Sequence, residues 1–117
     1  MPFLRRRSKF NNRKVMLQGV TFDSKAEAAH YLRLKALLEE GRIAELEIHP
    51  RFELHLNGYR ICRYHADFSF VAVSTGQRIV QDVKGYRTAV YRLKKRLFRA
   101  IYGFDIQEIG IHGEILA

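Results

Sequence analysis

Cysteine occurs once in this 117-residue chain, at Cys62, so no internal disulfide can form and a reducing compartment is expected. Flanked by Ile61 and Arg63, that thiol reads as a packing or surface residue. No apolar run approaches the ~20 residues that a membrane span needs. The amino terminus, Met1-Pro2-Phe3-Leu4-Arg5-Arg6-Arg7, has charge but no apolar stretch after it, so a secretory signal is not expected and a cytoplasmic location is. His-x-x-x-His and Cys-x-x-Cys spacings are missing, which speaks against zinc. There is no internal repeat and no low-complexity linker. Acidic residues are absent from residues 1–14, where six Lys or Arg gather.

What is present suffices for one domain with its own core: 47% of residues are hydrophobic and 28% charged. The net charge of +9 is large for this length and points to an anionic partner, nucleic acid ahead of a membrane surface. Residues 1–14 are expected to form a basic flexible arm, with a single domain over 15–117. The arm is either a solvated tail or a phosphate-contacting segment that uses Arg5, Arg6, Arg7 and Lys9.

Val15 to Phe22 reads as a short strand pair around Gln18-Gly19. Asp23-Ser24-Lys25-Ala26-Glu27 offers a helix cap and a capping box, and Gly41 a stop, so a helix is predicted from Ser24 to about Glu40. Its apolar stripe is Ala29, Leu32, Ala36 and Leu37, widened by Tyr31, Leu34 and Leu38. Phe52 to Leu56 alternates, Asn57-Gly58 is a hairpin turn, and Pro50 marks a break. One long strand is predicted from about Arg63 to Val73, paired with Arg78 to Lys84 across Ser74-Thr75-Gly76-Gln77. A second helix runs from about Thr88 to Tyr102 with Val90, Leu93, Leu97 and Ile101 as its stripe, flanked by Phe98 and Ala100. Its other side carries Arg87, Arg92, Lys94, Lys95, Arg96 and Arg99 with no acid among them, which suggests phosphate contacts. Asp105 to Ile111 closes as a strand. The order helix, strands, helix, strand predicts an α/β or α+β sheet with helices on it.

In that sheet the chemistry gathers on one hairpin. Pairing Ser74 with Gln77 sets Asp67 opposite Lys84 and diagonal to Asp82. Asp82 and Lys84, two apart on a strand, share a face. Carboxylates are the usual hard-oxygen ligands of Mg²⁺ or Mn²⁺, and the Val83 carbonyl lies between the two as a further ligand. A lysine beside them can orient or deprotonate an attacking water, or stabilise a pentavalent transition state. Glu27 is either the capping-box acid alone or a further ligand. His65, and with it Ser69, is expected to line the same cleft or to contact phosphate. Taken singly, each feature has an ordinary structural explanation: a cross-strand ion pair, a helix cap.

At these residues the chain resembles the PD-(D/E)xK nuclease superfamily: an acid on one core strand (Asp67), an acid-x-lysine on the next (Asp82-Val83-Lys84), and a helical glutamate (Glu27). More narrowly it resembles small phage and prophage proteins related to Holliday-junction resolvases. The matching stretches are Phe22 to Ala28, Leu46 to Leu54, Tyr64 to Phe68 and Gln81 to Gly85, spanning about residues 10–111. Ala66 stands where the pattern's named proline would be. The resemblance implies a restriction-endonuclease-like core, a mixed central β-sheet flanked by helices. It also implies Mg²⁺-dependent DNA cleavage without a small-molecule cofactor, with Asp67, Asp82 and Glu27 as metal-binding and catalytic residues beside Lys84. A junction resolvase would act as a homodimer in phage recombination or DNA processing. The alternative is a nucleic-acid-binding protein that lacks catalysis on a nuclease-like fold, and a weaker one a phage assembly protein whose charge aids packing with DNA.

Overall fold

The computed structural model describes residues 14–116. Strands β1 (Val15–Leu17) and β2 (Val20–Phe22) form the expected hairpin. Helix α1 (Lys25–Glu39) begins where Ser24 Oγ accepts from the Glu27 amide at 3.1 Å. It ends in a Schellman motif: with Gly41 in the left-handed region, the Gly41 and Arg42 amides donate to the Leu38 and Leu37 carbonyls.

The remaining elements are β3 (Ile43–Ile48), β4 (Arg51–Leu56), β5 (Tyr59–His65), β6 (Phe68–Ala72), β7 (Arg78–Val83), α2 (Ala89–Tyr102) and β8 (Gln107–Ile109). Four strands make a mixed sheet in the order β3-β6-β7-β8, antiparallel except for the β7–β8 pair. Parallel neighbours need a long crossover, and α2 supplies it. β4 and β5 form their own ladder across Asn57-Gly58, both at positive φ as a type I′ turn demands. The architecture is therefore the expected mixed α+β one, a central mixed sheet with helices packed on it. Among the described residues no helix is long and apolar enough to cross a membrane.

Alternate faces of β7 feed two cores. Ile79 and Val83 pack toward α1 with Phe22, Tyr31, Leu34, Phe68 and Phe70. Val80 packs toward α2 with Leu54, Tyr64, Ala66, Phe98 and Ile106. The expected strand 63–73 is thus two strands, because the chain changes sides between them. Tyr64 and Ala66 belong to the α2 core and Phe68 and Phe70 to the α1 core, with Asp67 at the crossover. Backbone bonds clip this point to the Pro50 break: Ala66 N–H donates to the Pro50 carbonyl at 3.1 Å, and His49 N–H to the Asp67 carbonyl at 2.9 Å.

The register also differs from the expectation. Phe68 pairs with Gln81, and Ala72 N–H closes on the Gln77 carbonyl at 2.9 Å, leaving a four-residue loop, 73–76. Carried one step beyond the ladder, this sets Asp67 beside Asp82 rather than beside Lys84. A slide of two residues preserves which face each side chain takes.

Both helix stripes are rotated from those read in the sequence. On α1 the buried residues include Glu27, Ala28, His30, Tyr31 and Leu34, while Leu32 and Ala36 are exposed. The helix turns a carboxylate and an imidazole inward, which a hydrophobicity pattern assigns to solvent. On α2 Tyr91 and Phe98 are buried and Val90 and Leu93 are outside. Phe98 contacts the rings of Phe52, Tyr64, Tyr102 and Phe104, and this aromatic area outweighs that of the aliphatic stripe.

Candidate metal centre

Three elements deliver a carboxylate, an imidazole and a second carboxylate to one place: ligand atoms of Glu27, His49 and Asp67 all lie within 4.8 Å of one another. Glu27 sits in the first turn of α1, 3% exposed, and its Oε1 accepts from the Asp23 amide at 2.9 Å. It therefore serves as a cap and still faces the cluster. His49 occupies the bend between β3 and β4 at a φ of 56°, uncommon for a residue with a side chain, with Nε2 3.4 Å from Glu27 Oε1. Asp67, at the crossover, accepts the Val83 amide on Oδ2 at 2.7 Å.

The electrostatics are unfavourable to two bare carboxylates. Burial, followed by the hydrogen bond with Glu27 and that group's charge, pushes Asp67 up to about 8; the Val83 amide and Lys84 only partly offset this. A proton between the acids relieves the repulsion, and so does a cation. Glu27 and Asp67 of this cluster line a cavity of about 640 Å³ whose wall also includes Val83, Lys84, Tyr86 and Ile111. Glu27, Asp67, Val83 and Lys84 thus come together as the sequence led one to expect.

Asp82 does not join them. It is 2% exposed, lies outside the cluster and is absent from the cavity wall. Strand alternation explains the correction: Asp82 shares the α2-facing side of β7 with Val80, whereas Glu27 approaches from the α1 side. Its Oδ1 accepts the Asp67 amide at 3.1 Å, and its Oδ2 accepts the Tyr64 hydroxyl. Lys84 Nζ lies 3.7 Å from Oδ2 and 3.9 Å above the centre of the Tyr91 ring. Burial pushes Asp82 up to about 7, with Lys84 pulling the other way. Asp82 is placed to position Asp67 and Lys84 rather than to ligate.

The basic residues also sort differently. Arg87 and Lys95 hold the carboxylate of Glu108 at 2.6 and 2.9 Å, and the Tyr91 hydroxyl donates to it at 2.8 Å. Burial raises this carboxyl, but the three donors outweigh burial and hold it at about 2. Arg87 and Lys95 are therefore counter-ions of a buried acid, not the unpaired cations read from α2 alone. Arg99 pairs with Asp105 at 3.2 Å on the surface. Arg92 donates to the Arg87 carbonyl, while Lys94 and Arg96 meet no acidic group among the described residues. His65 is exposed beside Arg51 at the end of β5 and does not line the cavity. Ser69 is buried, accepts from Arg78 at 3.2 Å and is likewise absent from the wall. Arg5, Arg6, Arg7 and Lys9 lie outside the described residues.

His49 is the member of the cluster that sequence reasoning left out. The available signal was its place between a strand and the breaking Pro50, in a stretch rich in acids. No curated protein and no solved structure matches the chain. A family model described as "Protein of unknown function (DUF1064)" matches residues 7–110, nearly the whole chain, and the chain belongs to that family.

Proposed function

We propose that the chain is a metal-dependent endonuclease hydrolysing phosphodiester bonds in DNA with Mg²⁺ or Mn²⁺. The observation that carries this reading is the meeting of Glu27, His49 and Asp67, two of which share a cavity wall with Lys84. The donor set fits such a cation: two carboxylate oxygens and one imidazole, with positions left for water and phosphate. Bound there, the cation would activate water and neutralise charge on the phosphoryl group. Glu27 and Asp67 would hold it through α1 and the β5–β6 crossover, both fixed by backbone bonds. Lys84, on the cavity wall and steadied by Asp82 and the Tyr91 ring, would orient the attacking water and stabilise charge in the transition state.

The likeness to Holliday-junction resolvases favours a branched substrate, with a homodimer making paired nicks. A second reading, a nucleic-acid-binding protein without catalysis, draws on Asp82 standing apart from the cluster. The two part in one experiment: four-way, flap and linear DNA incubated with Mg²⁺ or with chelator. Cutting lost in chelator and in Lys84→Ala, with DNA still bound, supports the nuclease. Intact binding with no cutting of any substrate refutes it.

A further inference from the structure

Tyr86 stands on the wall of the cavity with 67% of its surface exposed, and Ile111 on the same wall is 55% exposed. Thr88, the N-cap of α2, also lines the cavity, so the helix starts at its edge. Val90 and Leu93, three residues apart on the helix that starts at this edge, are exposed at 62% and 58%. Arg92, Lys94 and Arg96 share this helix, which has no acidic residue.

That combination discriminates among partners. A duplex would present phosphate and sugar here and leave the apolar side chains uncovered. A second copy laying the same helix against this one would bring like charges together. Unpaired bases have apolar faces and are strung on phosphates, so they match the apolar and cationic components at once. The segment that carries Tyr86 is held on both sides: Lys84 N–H donates to the Ile109 carbonyl at 2.8 Å, and the Arg87 side chain pairs with Glu108 at 2.6 Å. An aromatic ring on an anchored loop loses little freedom when a base stacks on it.

We infer that Tyr86, Ile111, Val90 and Leu93 form a stacking platform for unpaired bases of single-stranded DNA adjoining the phosphate in the cation cavity. The inference rests on the DNA reading above but not on catalysis, and it names the substrate class: a strand with unpaired bases, as in a flap or an opened junction arm.

The test is fluorescence anisotropy of the full chain in chelator, with labelled oligodeoxythymidine and a blunt duplex of the same length at matched salt. The single strand should bind more tightly. Tyr86→Ala should weaken it on the order of tenfold, the effect of removing one stacked base, with Tyr86→Phe near wild type and duplex binding little changed. Val90→Ser with Leu93→Ser, at exposed positions, should weaken the single strand in the same selective way. Equal losses on both DNA forms, or no loss on either, would overturn the platform. So would a double variant that alters oligomeric state while single-strand affinity stays unchanged, since the surface would then be a contact between copies. Failure of the nuclease reading shows elsewhere, as wild-type protein that cuts nothing with Mg²⁺, and leaves these affinities unaffected.

Discussion

The backbone amide of Asp67 donates to Oδ1 of Asp82 at 3.1 Å, joining the proposed cation ligand to β7, which ends one residue before Lys84. Asp82 is thereby a positioning residue, and its removal should have a different signature from loss of a ligand. Asp82→Ala leaves the buried Tyr64 hydroxyl without its acceptor and the Asp67 amide with only the Gln81 carbonyl, a loss of about 1–3 kcal/mol of stability. Mn²⁺ binding by calorimetry should be weakened but measurable in Asp82→Ala and absent in Asp67→Ala. Equal abolition by both substitutions would restore Asp82 to the ligand set.

The raised carboxyl of Asp67 makes both stability and cation binding depend on pH. Its folded value of about 8 exceeds the ordinary 3.8, so its contribution to stability is fully present below 3.8 and is lost as pH rises through about 8. In chelator the wild type should therefore lose stability between acid and alkaline pH, and Asp67→Asn should flatten that loss and melt higher than wild type at pH 9. Cation binding needs the ionised form, so Mn²⁺ affinity should fall as pH drops below 8, by about tenfold per unit for one displaced proton. A wild-type affinity independent of pH from 6 to 9 would contradict the protonated pair.

Local chemistry made much of this molecule legible in advance. Ser24 and Glu27 mark the start of α1, Asn57-Gly58 a hairpin, and Gly41 the end of α1, because each acts on neighbours in the chain. Parity predicted that Asp82 and Lys84 lie together, and Lys84 Nζ does stand 3.7 Å from Asp82 Oδ2, although β7 itself ends at Val83. What could not be read depends on distant partners. The change of sides at Asp67 arises because β5 pairs with β4 while β6 pairs with β3 and β7. The inward turn of Tyr91 depends on Glu108, seventeen positions on, which also takes Arg87 and Lys95 out of the set of free cations. His49 reaches Glu27 across 22 positions, a contact no local pattern announces.

An imidazole in the ligand set should tune metal choice. Nitrogen ligands favour Mn²⁺ over the harder Mg²⁺, so His49→Ala should weaken Mn²⁺ more than Mg²⁺. Melting shifts on titrating each cation would show it, because binding to the folded state alone raises the transition. Identical losses for the two metals would remove His49 from the set, leaving Glu27 and Asp67.

Glu108 gives the opposite pH signature to Asp67 and isolates the second helix. Its folded value of about 2 lies below the ordinary 4.5, so its stabilisation is present above 4.5 and is lost as pH falls through about 2. Glu108→Gln removes the charge that Arg87 and Lys95 face, and because both cations reach solvent the loss at neutral pH should be modest, about 1–3 kcal/mol. The variant should then lose little further stability between pH 5 and 2.5 from this source, whereas the wild type gives up most of this advantage progressively across that range. Circular dichroism during acid titration of both proteins reads the difference. The side effect to look for is on DNA: freeing Arg87 and Lys95 from their acid should steepen the salt dependence of binding, since two more cations become available to phosphates. A variant that matched the wild type in acid unfolding and in salt slope would show that neither cation is committed to Glu108 in solution.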